Sequence, residues 1–404
     1  MFSQNALDIL IQPILNRQET INIYVIKKIV ARLMDVKTLR PSDLKTLKNL
    51  VAMGADIRAI NAEIARLSDL QVKDIKSIIR TVAIDSYMDA KPFYDYRYKS
   101  FIPFNENKDL QRVVKVVGDM TAKSYVNLSN SKAIGFLVRD PKNPTKTKFQ
   151  SLAKTYQQTI DTAIQAIQSK TMTPEEAIRK ATKELLNSGL RRLYWESGYN
   201  QRLDTAVRRN ILDGVREINQ RIQDEIGKQI NADGKELSAH ANSAPDHEPF
   251  QGHIFTNAEW DKLQSSDDFK DIDGKKFMGV DRIIGVWNCH HIAYSIVIGA
   301  KKRRYTKEQL QKFIDDNHSG YTLKNGKHLT MYECTQVQRR LETRIRYAKE
   351  EQMLMAEIKD KARADLARKN VQDLIAEYRL FSSSCGLKTN MRRAEVPGYN
   401  PSVK

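Results

Sequence analysis

The stretch Leu203-Asp204-Thr205-Ala206-Val207-Arg208-Arg209-Asn210-Ile211-Leu212-Asp213-Gly214-Val215-Arg216-Glu217-Ile218-Asn219-Gln220-Arg221-Ile222 places Val207, Ile211, Val215, Ile218 and Ile222 three or four residues apart. That spacing predicts one long amphipathic helix from Leu203 to Ile230, with Arg202, Arg208, Arg209 and Arg216 on its exposed face. At Asn231-Ala232-Asp233-Gly234 the period changes. Short apolar pieces follow, Ile283 to Trp287 and Ile292 to Ile298, which read as strands between glycine and aspartate turns.

Upstream the helical pattern dominates. Leu7, Leu10 and Ile14, then Ile57, Ile60, Ile64 and Leu67, recur at helical spacing. Lys91 to Phe104 is an aromatic connector bracketed by Pro92 and Pro103, whose rings are expected to fill a seam between helices. Arg139 to Lys148, with Pro141 and Pro144, reads as a basic loop. Thr173-Pro174-Glu175-Glu176 is a helix start: threonine caps, proline suits the first turn, and Glu176 returns a bond to the cap. Gly189 to Gly198 is a punctuated junction. Downstream, Thr306 can cap a helix carrying Leu310 and Phe313, and Thr330 to Tyr378 reads as one long basic helix.

The expected fold is therefore mainly α. A helical N-terminal region (1–150) and a helical middle region (151–235) lead into a small α+β cassette (236–300), a basic helical closing segment (301–380) and an extended tail (381–404).

The chain has 404 residues with a net charge of +18, more than solubility requires, which points to a polyanionic partner, nucleic acid before an acidic protein. The start lacks the charged and apolar regions of a secretory signal, and no window approaches the roughly 18 apolar residues of a membrane span, so synthesis in the cytoplasm and no membrane partner are expected. Three separated cysteines, Cys289, Cys334 and Cys385, do not make a disulfide framework.

The segment Ser238 to Ile298 holds five of the seven histidines, one of the three cysteines and two of the three tryptophans, so chemistry, if any, concentrates there. Imidazole nitrogen and thiolate sulfur are the preferred ligands of zinc, and His240, His247, Cys289 and His291 are the candidate set. The alternative is a knot of hydrogen-bonded histidines stitching a domain with little core. Asp246-His247, Asn288 and His291 also supply the residue types of a metal-dependent nuclease, but without a clear strand-turn-helix frame. Cysteine-protease chemistry would need Cys289 beside His240 or His247. No glycine-rich phosphate loop, no Gly-x-Ser-x-Gly elbow and no compact helix-turn-helix is found. On the closing helix, Arg339, Arg340, Arg344, Arg346 and Lys349 form a candidate surface for DNA or an acidic partner.

The blocks of this cassette resemble a known signature. Ser238-Ala239-His240, Pro245, His247, Gln251-Gly252 and Phe255, then Asn288-Cys289-x-His291 and Gly299, resemble tailed-phage minor capsid proteins of the minor capsid 2 or Mu F-like head-morphogenesis family. Gly189 to Arg208 resembles the helix junction before that cassette, and Tyr332 to Arg346 its closing basic helix, so the likeness covers about residues 170 to 360. Ala244 stands where the family pattern has an arginine, and His290 where it has a basic residue; a structural role tolerates both.

The resemblance implies a structural protein of the virion head, near the portal, that assists head assembly, DNA packaging or delivery. Its implied partners are the portal protein, the major capsid protein and packaged double-stranded DNA bound without sequence preference. The family signature here is His240, His247, Gln251, Gly252, Asn288, Cys289 and His291. No catalytic residue and no cofactor is implied; zinc is the one cofactor the cassette suits.

Overall fold

The computed structural model describes residues 4–36, 47–96, 100–129, 133–140, 142–194, 199–265, 269–270, 276–277, 284, 289, 291–300 and 303–402. Helices α1 (Gln4–Val36), α2 (Leu47–Met88), α3 (Lys91–Tyr96) and α4 (Lys108–Leu128) come first. Strands β1 (Ile134–Asp140) and β2 (Asn143–Ser151) follow, then α5 (Leu152–Gln168) and α6 (Pro174–Ser188). Two short strands, β3 (Arg191–Leu193) and β4 (Asn200–Arg202), lead into α7 (Leu203–Ile230). The chain is mainly α, with small antiparallel sheets.

The long stripe of α7 is the spine of this helical body. Val207, Ile211, Ile218, Ile222 and Ile230 are fully buried, each burial worth about 1.5–3 kcal/mol. They join one continuous apolar cluster with Ile11, Ile14 and Ile26 of α1, Ile60, Ile75 and Ile79 of α2 and Tyr125 of α4, so residues 1–150 and 151–235 share a single core. Helix α4 approaches α7 at Gly214, where a Cβ would sit 2.4 Å from Thr121 Oγ1, and only glycine permits that crossing. The aromatic connector fills a seam as expected: the Tyr87 and Phe101 rings stack at 4.7 Å, and Tyr94, on α3, meets Phe101 edge-on at 5.3 Å.

Four local expectations are corrected. The basic loop is a β-hairpin, with Val138 opposite Lys148 and Arg139 opposite Thr147, because the alternation Thr145-Lys146-Thr147-Lys148 suits a strand despite the flanking prolines. The junction around residue 190 adds β3 and β4 to that sheet, in the order β2-β1-β3-β4. The long C-terminal helix is two helices, α10 (Met331–Glu357) and α11 (Lys361–Ser384), packed as a hairpin; Lys359 turns left-handed at φ 60° and Asp360 caps the second. The tail is docked rather than extended: Ala394 is fully buried, and Tyr399 donates to Gln352 Oε1 at 2.7 Å.

The basic face drawn for α7 also turns inward. Arg202 lies between Asp204 (3.3 Å), Glu19 (3.6 Å) and Glu350 (3.9 Å), and Arg208 pairs with Asp8 at 2.5 Å. Burial alone would raise the Asp204 carboxyl, but the Arg202 and Arg346 guanidinium groups more than reverse it and hold it below the usual range. Glu350 goes the other way: burial, then the neighbouring Glu19 carboxylate, push it well up.

The cassette hangs on the end of α7. Strands β5 (Gly234–Leu237), β6 (Ile254–Thr256) and β9 (Ala293–Ile296) form an antiparallel sheet in the order β6-β5-β9, flanked by α8 (Asn257–Ser265) and a small ribbon of β7 (Phe269–Lys270) and β8 (Lys276–Phe277). The strand expected over Ile292 to Ile298 is β9; of the other, Ile283 to Trp287, only Ile284 is among the described residues. Ser295 on β9 donates to the Gln223 carbonyl at 2.6 Å, which fastens the sheet to α7. Helix α9 (Lys307–Ser319) and the hairpin β10 (Tyr321–Thr322) and β11 (His328–Leu329) then carry the chain to α10.

Candidate functional site

The histidine and cysteine side chains are brought together by backbone pairing at the end of β5. Ser238 donates its N–H to the Ile292 carbonyl (2.8 Å), and its hydroxyl accepts from the Ile292 N–H (2.9 Å), so residues 238–240 lie beside residues 291–292. A tight turn with His247 and Glu248 N–H groups on the Ala244 carbonyl, both 3.0 Å, folds His247 back toward them. The chain returns to the sheet through Gly252, which is left-handed at φ 67°; a Cβ there would lie 2.3 Å from Leu310 Cδ2. That signature glycine is thus explained by packing against α9.

His247 Nδ1, Cys289 Sγ and His291 Nδ1 converge. The sulfur is 3.3 Å from the first nitrogen and 3.5 Å from the second, and the three donor atoms all lie within 4.8 Å of one another. Both imidazoles are buried, and the cysteine is half-buried. The outward nitrogens face oxygen: His291 Nε2 is 3.3 Å from Gln251 Oε1 and 3.5 Å from Ser243 Oγ, and His247 Nε2 is 3.6 Å from Asp246 Oδ2. Gln251 Oε1 also accepts the His240 N–H at 2.8 Å, which fixes the amide with its oxygen inward.

His240, the fourth residue of the set, stands outside this triad of donors. Its ring lies against the His291 ring, centroids 4.5 Å apart, and its Nδ1 is 3.0 Å from the Ala241 carbonyl. Burial holds its pKa below the usual range, opposed by the Ala241 bond and reinforced by His247. Asn288 lies outside the described residues.

The five cations chosen on α10 divide. Arg340 and Arg344 are exposed, the latter 3.3 Å from Glu377 on α11. Arg346 pairs with Asp204 at 3.3 Å, and Lys349 is buried, donating to the Ala394 carbonyl at 2.7 Å. Arg339 is half-buried among Asp8, Glu342, Arg208 and Arg393; burial, then the two arginines, lower its pKa. Arg346 thus ties α10 to α7 through Asp204, Lys349 ties it to the tail through the Ala394 carbonyl, and Arg339 faces Asp8 of α1 and Glu342 of its own helix.

Sequence reasoning marked Arg139 to Lys148 as basic but did not choose it as the better exposed cationic surface that it is. Arg139, Lys142, Lys146 and Lys148 are all exposed on the β1–β2 hairpin. The legible signal was the alternation of β-branched and cationic residues after Asn143. It also missed the clamp that holds the cassette to α9: buried Asn317 donates to Glu248 and to the Ser243 carbonyl (3.4 Å), while its own oxygen accepts from the Tyr332 N–H at 2.9 Å.

A family model described as phage minor capsid protein 2 matches residues 4–381, extending the likeness well beyond the cassette and over most of the helical body. Comparison with curated proteins and with solved structures finds no match.

Proposed function

The chain belongs to the phage minor capsid protein 2 family, a structural component of the virion, and from that premise we propose that it sits in the head near the portal and contacts packaged duplex DNA through its basic surface. The observation that carries the DNA contact is the β1–β2 hairpin, with four exposed cations against one acidic neighbour, Asp140, 3.7 Å from Lys148. A two-stranded ribbon of this kind lies along a phosphate backbone without reading bases, and each phosphate neutralised releases counterions. The net charge of +18 and the exposed Arg340 and Arg344 support the same reading. The partners in the shell are the portal protein and the major capsid protein.

Two measurements test it. Binding of the full chain to a non-specific duplex across a salt series should weaken steeply, and replacing Arg139, Lys142, Lys146 and Lys148 together by alanine should flatten the slope of log K against log salt by roughly 0.9 for each phosphate that is no longer neutralised. An unchanged slope removes the hairpin from the DNA contact. Immunogold labelling of intact and opened heads should mark a single vertex; uniform label over the shell would refute the portal position. The competing reading, a packaged metal-dependent nuclease built on the His247, Cys289 and His291 cluster, predicts plasmid nicking with Mg²⁺, Mn²⁺ or Zn²⁺, and its absence rejects that reading.

A further inference from the structure

We propose that His247 Nδ1, Cys289 Sγ and His291 Nδ1 hold one Zn²⁺ ion, which staples the loop after β5 to the segment entering β9. The first support is distance. Donors about 2.0–2.1 Å (nitrogen) and 2.3 Å (sulfur) from a tetrahedral zinc lie about 3.6 Å from one another. The observed sulfur-to-nitrogen separations are 3.3 and 3.5 Å, close to that spacing, and the ligand atoms of the three residues lie within 4.8 Å of one another.

The second support is the placement of protons. Gln251 Oε1 has its lone pairs turned to His291 Nε2, so that nitrogen carries the hydrogen and Nδ1 presents its lone pair to the sulfur. The Asp246 carboxylate, 3.6 Å from His247 Nε2, favours the proton on that nitrogen and so leaves Nδ1 toward the sulfur. Two imidazole lone pairs and one sulfur therefore face a common point.

The third support is the outer shell. Ligating histidines characteristically donate their other N–H to a carboxylate, carbonyl or amide oxygen. Here His291 Nε2 meets Gln251 Oε1 at 3.3 Å, and the His291 backbone N–H approaches Cys289 Sγ at 3.4 Å, an arrangement that stabilises negative charge on sulfur. One sulfur with two imidazoles is a borderline donor set that suits zinc rather than calcium or magnesium, which take oxygen.

The purpose is structural. Among the described residues, the cassette's own apolar cluster is Leu237, Phe250, Phe255, Leu263 and Ile284, with Cys289 against its edge, while Ile254, Tyr294 and Ile296 join the main core. A metal joining residue 247 to residues 289 and 291 ties the loop after β5 to the entry of β9 at the edge of this cluster. The inference stands independently of where the protein sits in the head.

The test uses the full chain, purified reduced and without chelator, loaded with ZnSO₄ and desalted. Elemental analysis should find close to one zinc per chain, and Co²⁺ in its place should give a thiolate-to-cobalt charge-transfer band. Cys289→Ser should abolish that band and lower zinc occupancy at least tenfold, while Cys385→Ser, on α11's C-terminal side and far from the donors in the fold, should keep both. Removing zinc should lower the Tm of the wild type and speed hydrogen exchange in residues 234–256 and 291–297. Wild-type chain that is folded by circular dichroism yet retains less than a tenth of an equivalent overturns the proposal without recourse to any variant; so does a cobalt band that survives Cys289→Ser.

Discussion

In the helical body, buried apolar side chains run without a break from Ile11 on α1 to Leu354 on α10; in the cassette, the separate cluster is five residues with Trp260 and Cys289 at its edge. The body tolerates buried charge where opposite charges meet, as at Arg202, and because its core supplies the net stability. The cassette's separate cluster lacks that reserve, although Ile254, Tyr294, Ile296 and Val297 of its sheet side pack into the main core. Its order comes from directed contacts: Ser238 with Ile292, Gln251 with His240 and His291, Asn317 with Glu248, and the donors around Cys289. Large apolar area gives a fold that is insensitive to any one polar pair outside its buried network, whereas a small polar knot depends on each of its members.

The largest effect should come from a concentrated risk in the body, the ion cluster at Arg202. Arg202→Ala strands Glu19 and Glu350, 3% and 1% exposed, beside a buried Asp204. Removing one member of such a network costs about 3–5 kcal/mol, read as a shift of the urea midpoint of the whole chain. A loss below about 1 kcal/mol would show that the body does not depend on this ion cluster.

Next in size is a matched pair of truncations. Ile218→Ala on α7 removes a fully buried side chain from the main core and should cost about 2–5 kcal/mol, with faster hydrogen exchange throughout α1, α2, α4 and α7. Leu237→Ala in β5 removes an equally buried side chain, but its smaller surroundings collapse more readily. Its exchange should rise only within residues 234–300. Equal and global destabilisation by both would erase the distinction between the regions.

A pH series sharpens the body side further. Glu350 is held well above the usual 4.5 by burial and then by Glu19, so the folded chain keeps a proton there that the unfolded chain loses. The stability from that bound proton is complete below the unfolded value and is lost as pH rises through the folded one. Asp8 and Asp204, held low by their arginines against the opposing effect of burial, act in the opposite sense and lose stability as pH falls. Glu350→Gln should flatten the decline on the alkaline side above the usual 4.5 and leave the acid limb in place. An unchanged alkaline decline would assign it to another group.

How much was legible in the sequence follows the same division. The stripe of α7 and its limits at Leu203 and Ile230 were readable because apolar periodicity reports burial directly, and the capping box at Thr173 was readable because it is local. The α10–α11 break at Lys359 was not, since residues 358–360 carry no proline or glycine and the turn is made by a left-handed lysine. The inward turn of Arg202, Arg346 and Lys349 was also hidden, because a cation's partners come from remote segments: Glu19, Asp204 and the Ala394 carbonyl. Within the cassette, composition drew attention to the histidines and the cysteine, yet only folding could show that His247, Cys289 and His291 converge while His240 stacks beside His291.

The smallest effects give the finest comparison, since two capping boxes of nearly the same geometry serve the two regions. Thr173 Oγ1 accepts the Glu176 N–H at 3.2 Å and Glu176 returns to the Thr173 N–H at 2.9 Å; Thr306 and Gln309 repeat the same two distances at the start of α9. Alanine at either threonine should cost about 1 kcal/mol. The consequences should differ. Helix α6 is locked into the main core by Ile178, Leu185 and Leu186, so Thr173→Ala should lower global stability and nothing else. Helix α9 presents Leu310 to Gly252 and Asn317 to Glu248, so fraying its first turn loosens the support of the residues around His247. Thr306→Ala should therefore weaken zinc retention several-fold at little cost to the urea midpoint, and equal zinc retention in both variants would show that the cassette orders its donors without α9.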